Sequence, residues 1–65
     1  MEKILKFMAY CVEIYRENKG LSGKQIAALF TQHKIWDFIY DCYDALHCTG
    51  PLYTIGEIDD YIAAA

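Results

Sequence analysis

Apolar and polar positions alternate with the period of an α-helix along most of the chain. The clearest stretch runs from Ile35 to His47, where apolar side chains recur every three or four residues. The members of its apolar arc are Ile35, Phe38, Ile39, Cys42 and Leu46, with Tyr43 at the edge. An arc this wide predicts a central helix over residues 35–47 that packs against neighbours on two sides.

Two further helices are predicted before the central one. The first, over residues 2–18, collects on one face Ile4, Phe7, Met8, Cys11, Ile14 and Tyr15, with Val12 and Leu5 widening it. Gly20 is expected to end it, because glycine readily adopts the left-handed conformation at a helix C-terminus. The second, over residues 23–33, is indicated by Ser22 and Gln25, which have the spacing of a capping box.

A last helix over residues 55–62 is predicted from a second capping box, formed by Thr54 and Glu57. Gly50 and Pro51 are expected to end the central helix, and residues 52–54 are expected to form at most a brief extended segment. No stretch has the alternation of a strand, so the sequence predicts an all-α, compact bundle of four short helices. We interpret residues 1–62 as a single helical domain and residues 63–65 as a vector-derived tail.

The composition adds an excess of apolar residues to this picture. Hydrophobic residues make up 55% of the 65-residue chain, and aromatic residues make up 15%. A chain this short buries only about 60% of the surface that its unfolded form exposes. The apolar surface that one small core leaves exposed favours self-association or a protein partner.

The cysteines and the N-terminus bear on where the protein functions. The chain has three cysteines, Cys11, Cys42 and Cys48. Because three is an odd number, they cannot all form disulfides within one chain. The first residues carry charges at Glu2 and Lys3, unlike a signal peptide, and no apolar run approaches the roughly 20 residues that span a bilayer. These features predict free thiols, a cytoplasmic location and no membrane contact.

The net charge of −3 conceals two halves of opposite sign. All six basic residues lie in the first 34 positions: Lys3, Lys6, Arg16, Lys19, Lys24 and Lys34. The rest of the chain holds six of the nine acids and no lysine or arginine. Three of these acids, Asp37, Asp41 and Asp44, are spaced so that they line the side of the central helix opposite its apolar arc.

Beside these aspartates the central helix presents Trp36, Tyr40 and His47. Aromatic residues rimmed by acids are typical of a surface that binds a basic protein. The alternative interpretation is a solvated acidic helix face, with the aromatic side chains packed against the last helix. We predict a partner-binding site composed of Trp36, Asp37, Tyr40, Asp41, Asp44 and His47, and a partner that is a basic protein or a second copy of the chain.

A DNA-binding regulator is the alternative function. The helices over 23–33 and 35–47 are arranged in sequence like a helix-turn-helix, whose second helix would enter the major groove. That second helix carries Asp37, Asp41 and Asp44 and no basic residue after its start, so phosphate would repel it. We therefore expect no nucleic acid among the partners.

No pattern in the chain indicates catalysis, a metal or a cofactor. His47 and Cys48 are expected to point about 100° apart on the central helix, too far for their side chains to act as a nucleophilic pair. Neither C-x₂-C nor H-x₃-H spacing occurs, and Cys48, His47, His33 and Cys11 would be an ad hoc zinc set. We expect a protein that is not an enzyme and has no cofactor.

Three stretches are familiar in order and spacing: FMAYCVEIYRENKGLSGKQIAALF, then YDALHCTG, then Tyr53 with IDDYI. From Phe7 to Ile62 they resemble a family of very short bacterial proteins of unknown function. Members of that family tend to be encoded beside proteins that resemble ADP-ribosyltransferases. The resemblance therefore implies a toxin-linked role, as an antitoxin or accessory binder, and it supplies no catalytic residues.

Overall fold

The computed structural model describes residues 2–64, so Met1 and Ala65 lie outside the description. Five helices follow one another: α1 Glu2–Lys19, α2 Gly23–Gln32, α3 Ile35–Asp41, α4 Tyr43–Leu46 and α5 Pro51–Ala64. No strand occurs in residues 2–64, and the prediction of an all-α bundle is confirmed. The interpretation of residues 63–65 as a tail stays a prediction; α5 runs through Ala64, and Ala65 is outside the description.

The turn between α1 and α2 follows the local signals in the sequence. Gly20 has a φ of 69°, and the Leu21 N–H donates to the Arg16 carbonyl at 3.1 Å, as in a Schellman motif. The Gln25 N–H then donates to Ser22 Oγ at 3.1 Å, and the Ser22 N–H donates to Gln25 Oε1 at 2.9 Å. The predicted capping box at the start of α2 is therefore confirmed.

A tight corner at Lys34 connects α2 to α3. Lys34 has a φ of 57°, the left-handed conformation, and no side chain caps the start of α3. This conformation costs a residue with a side chain about 1–2 kcal/mol. The corner turns the chain so that Phe30, at the end of α2, and Ile35, at the start of α3, are both fully buried.

The predicted central helix over 35–47 is wrong in its continuity, because α3 and α4 are separate helices. Cys42, with φ −103° and ψ 12°, lies between them. Its N–H donates to the Phe38 carbonyl at 3.0 Å, and its own carbonyl accepts from the Leu46 N–H at 2.9 Å. Helical hydrogen bonding thus resumes within one residue, and the apolar arc is preserved with Ile35, Ile39 and Leu46 buried.

The last helix begins at Pro51, and its prediction from residue 55 was wrong. Pro51 occupies the first helical position, where a missing N–H is tolerated. Thr54 lies inside α5 instead of capping it; its side chain is fully buried and its hydroxyl donates to the Gly50 carbonyl at 3.4 Å. The predicted capping box of Thr54 and Glu57 is therefore wrong, and residues 52–54 are helical rather than extended.

The core is built from aliphatic side chains around Phe30. The ring of Phe30 lies 5.5 Å from that of Tyr15 and 5.2 Å from that of Trp36, measured between centroids. The fully buried hydrophobic residues are Cys11, Ile26, Phe30, Ile35, Ile39 and Ile58. Leu5, which the sequence predicted to widen the apolar face of α1, is 61% exposed, and that prediction was wrong.

A polar cluster, which we call the α1–α5 clamp, joins the two helices at the edge of the core. The Tyr15 hydroxyl donates to Asp59 Oδ1 at 2.5 Å, and Lys19 Nζ donates to Asp59 Oδ2 at 2.9 Å. Burial alone would raise the pKa of Asp59, but the hydrogen bonds from Tyr15 and Lys19 outweigh it and lower the pKa below its usual range. Of the ion pairs within residues 2–64, the one in this clamp joins the basic and acidic halves of the chain.

Lys34 and Gly20 both have a positive φ, so glycine at residue 34 and alanine at residue 20 should change the stability in opposite directions. Lys34→Gly should raise the free energy of unfolding by about 1 kcal/mol, because glycine removes the cost of the left-handed conformation. Gly20→Ala should lower it by about 1 kcal/mol, although no atom lies within 4 Å of the added methyl group. Urea unfolding measures both. Lys34→Ala is the control, since it removes the charge and keeps the strain; equal stabilisation by Lys34→Ala would contradict this account.

The α1–α5 clamp predicts a loss of stability in acid. Because the folded-state pKa of Asp59 is lowered, its contribution to stability is fully present above the unfolded-state pKa and is lost as the pH falls through the folded-state pKa. With 39% of the Asp59 side chain exposed, solvent screening limits that contribution to about 1 kcal/mol or less. Asp59→Asn should therefore be less stable than the wild type at pH 6.5, and the difference should shrink towards pH 3.

Asp60→Asn is the matched control for this pH dependence. Asp60 is the next residue of α5, is exposed, and takes no part in the ion pairs formed within residues 2–64. Urea unfolding at both pH values should show no clear difference between Asp60→Asn and the wild type. A gap between Asp59→Asn and the wild type that stays constant down to pH 3 would rule out the charge of Asp59 as its source.

Candidate partner-binding surface

Three aspartates form an exposed acidic face on α3 and α4. Asp37 and Asp41 lie one turn apart on α3, and Asp44 lies in the first turn of α4; all three are exposed. The ion pairs formed within residues 2–64 involve other acids, so no basic group of the described chain lies within 4.0 Å of these carboxylates. The acidic face therefore carries three negative charges that the described part of the molecule does not neutralise.

Tyr40 is the exposed aromatic residue beside the acidic face. It lies on α3, one turn after Asp37 and directly before Asp41, and 52% of it is exposed. A tyrosine that remains open to solvent retains apolar ring surface and a hydroxyl for a partner. Its placement agrees with the surface position that the sequence predicted.

Trp36 lies partly beneath this surface. Its indole ring meets the Phe30 ring edge-on at an angle of 79°, and its Nε1–H donates to Thr31 Oγ1 at 3.0 Å. Thr31 in turn donates to the Ala27 carbonyl at 2.9 Å, which fixes the position of its hydroxyl. Trp36 is half-buried, with its ring against Phe30 of α2.

His47 follows α4 and is held by Tyr43. The two rings stack with centroids 4.4 Å apart and an interplanar angle of 6°. His47 Nδ1 lies 2.7 Å from the Tyr43 carbonyl oxygen, and His47 Nε2 lies 3.5 Å from Cys48 Sγ. The prediction that His47 and Cys48 point apart was wrong, because α4 ends at Leu46 and the two residues lie in the turn that follows.

The structure thus brings five of the six predicted residues to the surface and places Trp36 at its margin. What the sequence analysis missed is the contact between His47 and Cys48. Gly50 and Pro51 carried a usable signal, since they showed that the helix had to end close to these residues. The predicted helix ended at His47, whereas α4 ends at Leu46.

The described residues form neither a metal site nor a pocket for a small molecule. Within residues 2–64 no three His, Cys, Asp or Glu side chains are grouped to hold a metal ion, and no cavity opens to receive a small molecule. No helix in this part of the chain combines the length and the apolar character needed to cross a membrane. The acidic face with Tyr40 is a candidate site for recognition of a protein.

A family model described as "Protein of unknown function (DUF3791)" matches residues 6–65. The chain belongs to this family, and the resemblance to a family of unknown function is confirmed. Neither a curated protein nor a solved structure matches the chain.

The geometry predicts different roles for the two aromatic residues of α3. Trp36→Ala should lower the free energy of unfolding by about 2 kcal/mol, because the ring contact with Phe30 and the hydrogen bond to Thr31 are lost. The loss is smaller than for a fully buried tryptophan, because part of the indole is already exposed to solvent. Tyr40→Ala should change it by less than about 0.5 kcal/mol, as exposed positions do. Urea unfolding of both variants measures this, and comparable destabilisation by the two would place Tyr40 in the core as well.

Proposed function

We propose that this member of the family is a non-enzymatic module that binds another protein through Tyr40 and the acidic face. The observation that carries the proposal is a 52% exposed tyrosine beside three exposed carboxylates without a basic partner in the described chain. A solvated helix commonly carries acids, but it commonly carries lysine or arginine as well. After Lys34 this chain has neither.

The charge of the surface favours a basic partner. Opposite charges across an interface mainly speed association and exclude wrong partners, and they add less to the affinity. At physiological salt such charges act over about 8 Å, so the three aspartates would steer a partner during the final approach. Affinity then has to come from a side chain that becomes buried on binding, and Tyr40 is of the type that dominates such interfaces.

The family resemblance also bears on the identity of the partner. The resemblance described above supports a bacterial, cytoplasmic protein whose partner is an ADP-ribosyltransferase-like toxin encoded nearby. In that role the chain would act as an antitoxin or as an accessory binder. Self-association through the same surface is the competing form, and a basic toxin surface fits the unneutralised aspartates better than a second acidic face does.

Duplex DNA is a poor ligand for this surface. In a helix-turn-helix arrangement α3 would enter the major groove, and its exposed Asp37 and Asp41 would meet phosphate repulsion. We expect no shift of random duplex DNA on a native gel at physiological salt. A tight shift that weakens steeply with added salt would favour the DNA-binding regulator instead.

Co-purification with the products of neighbouring genes, followed by titration with the isolated partner, tests the proposal. Tyr40→Ala should weaken binding by about 2 kcal/mol, close to thirty-fold, without changing the stability of the free chain. Asp37→Asn, Asp41→Asn and Asp44→Asn combined should slow association several-fold and flatten its salt dependence, with little effect on dissociation.

A matched triple variant separates this surface from a general effect of charge. Glu2→Gln, Glu17→Gln and Asp60→Asn remove the same number of exposed acids outside the acidic face. This variant should bind like the wild type apart from a small change in association rate. Equal effects of the two triple variants, together with an unchanged affinity of Tyr40→Ala, would contradict the proposed surface.

A further inference from the structure

We infer that two copies of this chain form a symmetric dimer through a strip of aromatic rings that crosses from α1 to α4. This aromatic strip consists of Tyr10, Phe7, Tyr43 and His47. It lies beside the surface proposed above for a basic protein, and the two surfaces meet at Asp44. The inference goes beyond the proposed function, because the dimer requires no other protein and is measured on the chain alone.

The rings of the aromatic strip contact one another in order across the two helices. On α1 the centroids of Tyr10 and Phe7 lie 5.8 Å apart, and Phe7 meets Tyr43 of α4 edge-on at 5.5 Å. Tyr43 in turn stacks on His47 at 4.4 Å. The two inner rings are half-buried, Tyr10 is 40% exposed, and His47 is exposed. Both outer rings therefore have surface that a partner can cover.

Lysines border the aromatic strip on the α1 side. Lys6 lies about 100° around α1 from Phe7, on the side away from the buried Cys11. Lys3 is one turn before Lys6, and both lysines are exposed. The ion pairs formed within residues 2–64 use other basic residues, so no carboxylate of the described chain lies within 4.0 Å of these two. This border is a basic edge that the chain itself does not neutralise.

An aspartate borders the strip on the α4 side. Asp44 lies about 100° around α4 from Tyr43, on the side away from the buried Leu46. It is exposed, and it lies one turn before His47. No basic group of the described residues lies within 4.0 Å of its carboxylate. The strip thus runs from a basic edge on α1 to an acidic edge on α4.

This order of charges makes the surface complementary to itself. A two-fold axis through the contact between Phe7 and Tyr43 lays the α1 edge of one copy on the α4 edge of the other. The two lysines of each copy then face Asp44 of the other copy, and every contact occurs twice. A partner surface of one sign of charge would be repelled at one of the two edges. A second copy matches both edges, which is why we assign the strip to it.

The exposed area sets the strength of the dimer. Two of the four rings are already half-buried, so the interface belongs to the class below about 1,200 Å², which is weak and reversible. Sedimentation equilibrium of the full chain should show a monomer–dimer equilibrium between about 10 µM and about 1 mM. Raising the salt from about 50 mM to about 500 mM should weaken the dimer several-fold. A chain that stays monomeric over this whole range would overturn the inference.

Reversal of the edge charges tests the pairing itself. Lys3→Glu combined with Lys6→Glu gives one variant, and Asp44→Lys gives a second. Each variant alone should dimerise at least about tenfold more weakly, because like charges meet at both edges. An equimolar mixture of the two should recover the dimer, since the acids introduced in the first face the lysines of the second. Circular dichroism checks that both variants fold before they are mixed.

Matched variants outside the strip serve as controls. Lys24→Glu combined with Lys34→Glu changes the net charge by the same amount at exposed sites on other elements, and should dimerise like the wild type. Tyr10→Ala should weaken the dimer about tenfold, as the loss of an interface tyrosine does. Tyr53→Ala, at a tyrosine of α5 that is 54% exposed, should leave it unchanged. Equal weakening by the two lysine pairs, or a mixture that stays monomeric, would overturn the inference.

Discussion

The α1–α5 clamp is the directional contact that orients α5 in this small bundle. Residues 47–50 connect α5 to the rest of the chain, and α5 buries Ile55 and Ile58 against the core. Apolar burial alone tolerates small rotations and shifts of a helix, because it has no directionality. The two hydrogen bonds that Asp59 accepts from α1 do have direction, so they fix the rotation of α5 about its own axis.

The clamp does not involve the acidic face. It joins one acid of the second half of the chain to one lysine of the first, at the end of α1. The aspartates of α3 and α4 lie on other helices, and no lysine or arginine follows Lys34 to neutralise them. The fold thus uses Asp59 for stability and leaves Asp37, Asp41 and Asp44 to the solvent, which is the arrangement that a partner with a basic surface can use.

Sequence reasoning succeeded where the signal was local. Gly20 ended α1 and the capping box of Ser22 and Gln25 started α2, since each depends on neighbours within a few residues. It failed at Thr54, because the same spacing of threonine and glutamate also arises when a buried threonine lies inside a helix. Only packing against the core distinguishes the two cases, and packing is not readable from spacing.

The remaining differences also arise from tertiary structure. No glycine or proline indicates the break at Cys42. The left-handed conformation of Lys34 at the α2–α3 corner could not be predicted from the sequence either, since lysine rarely adopts it. That corner brings Trp36 of α3 against Phe30 of α2. The composition of the candidate surface was therefore predictable from helical periodicity, whereas the depth of each side chain within it was not.

Hydrogen exchange of the chain alone and in complex with its co-purified partner tests the central claim most directly. If Tyr40 and the acidic face form the interface, binding should slow exchange at the backbone amides of α3 and α4, beyond the change seen elsewhere. The exposed side of α1, which carries Lys3 and Lys6, should exchange at the same rate in both states. Slowed exchange confined to α1, with α3 and α4 unchanged, would contradict the account.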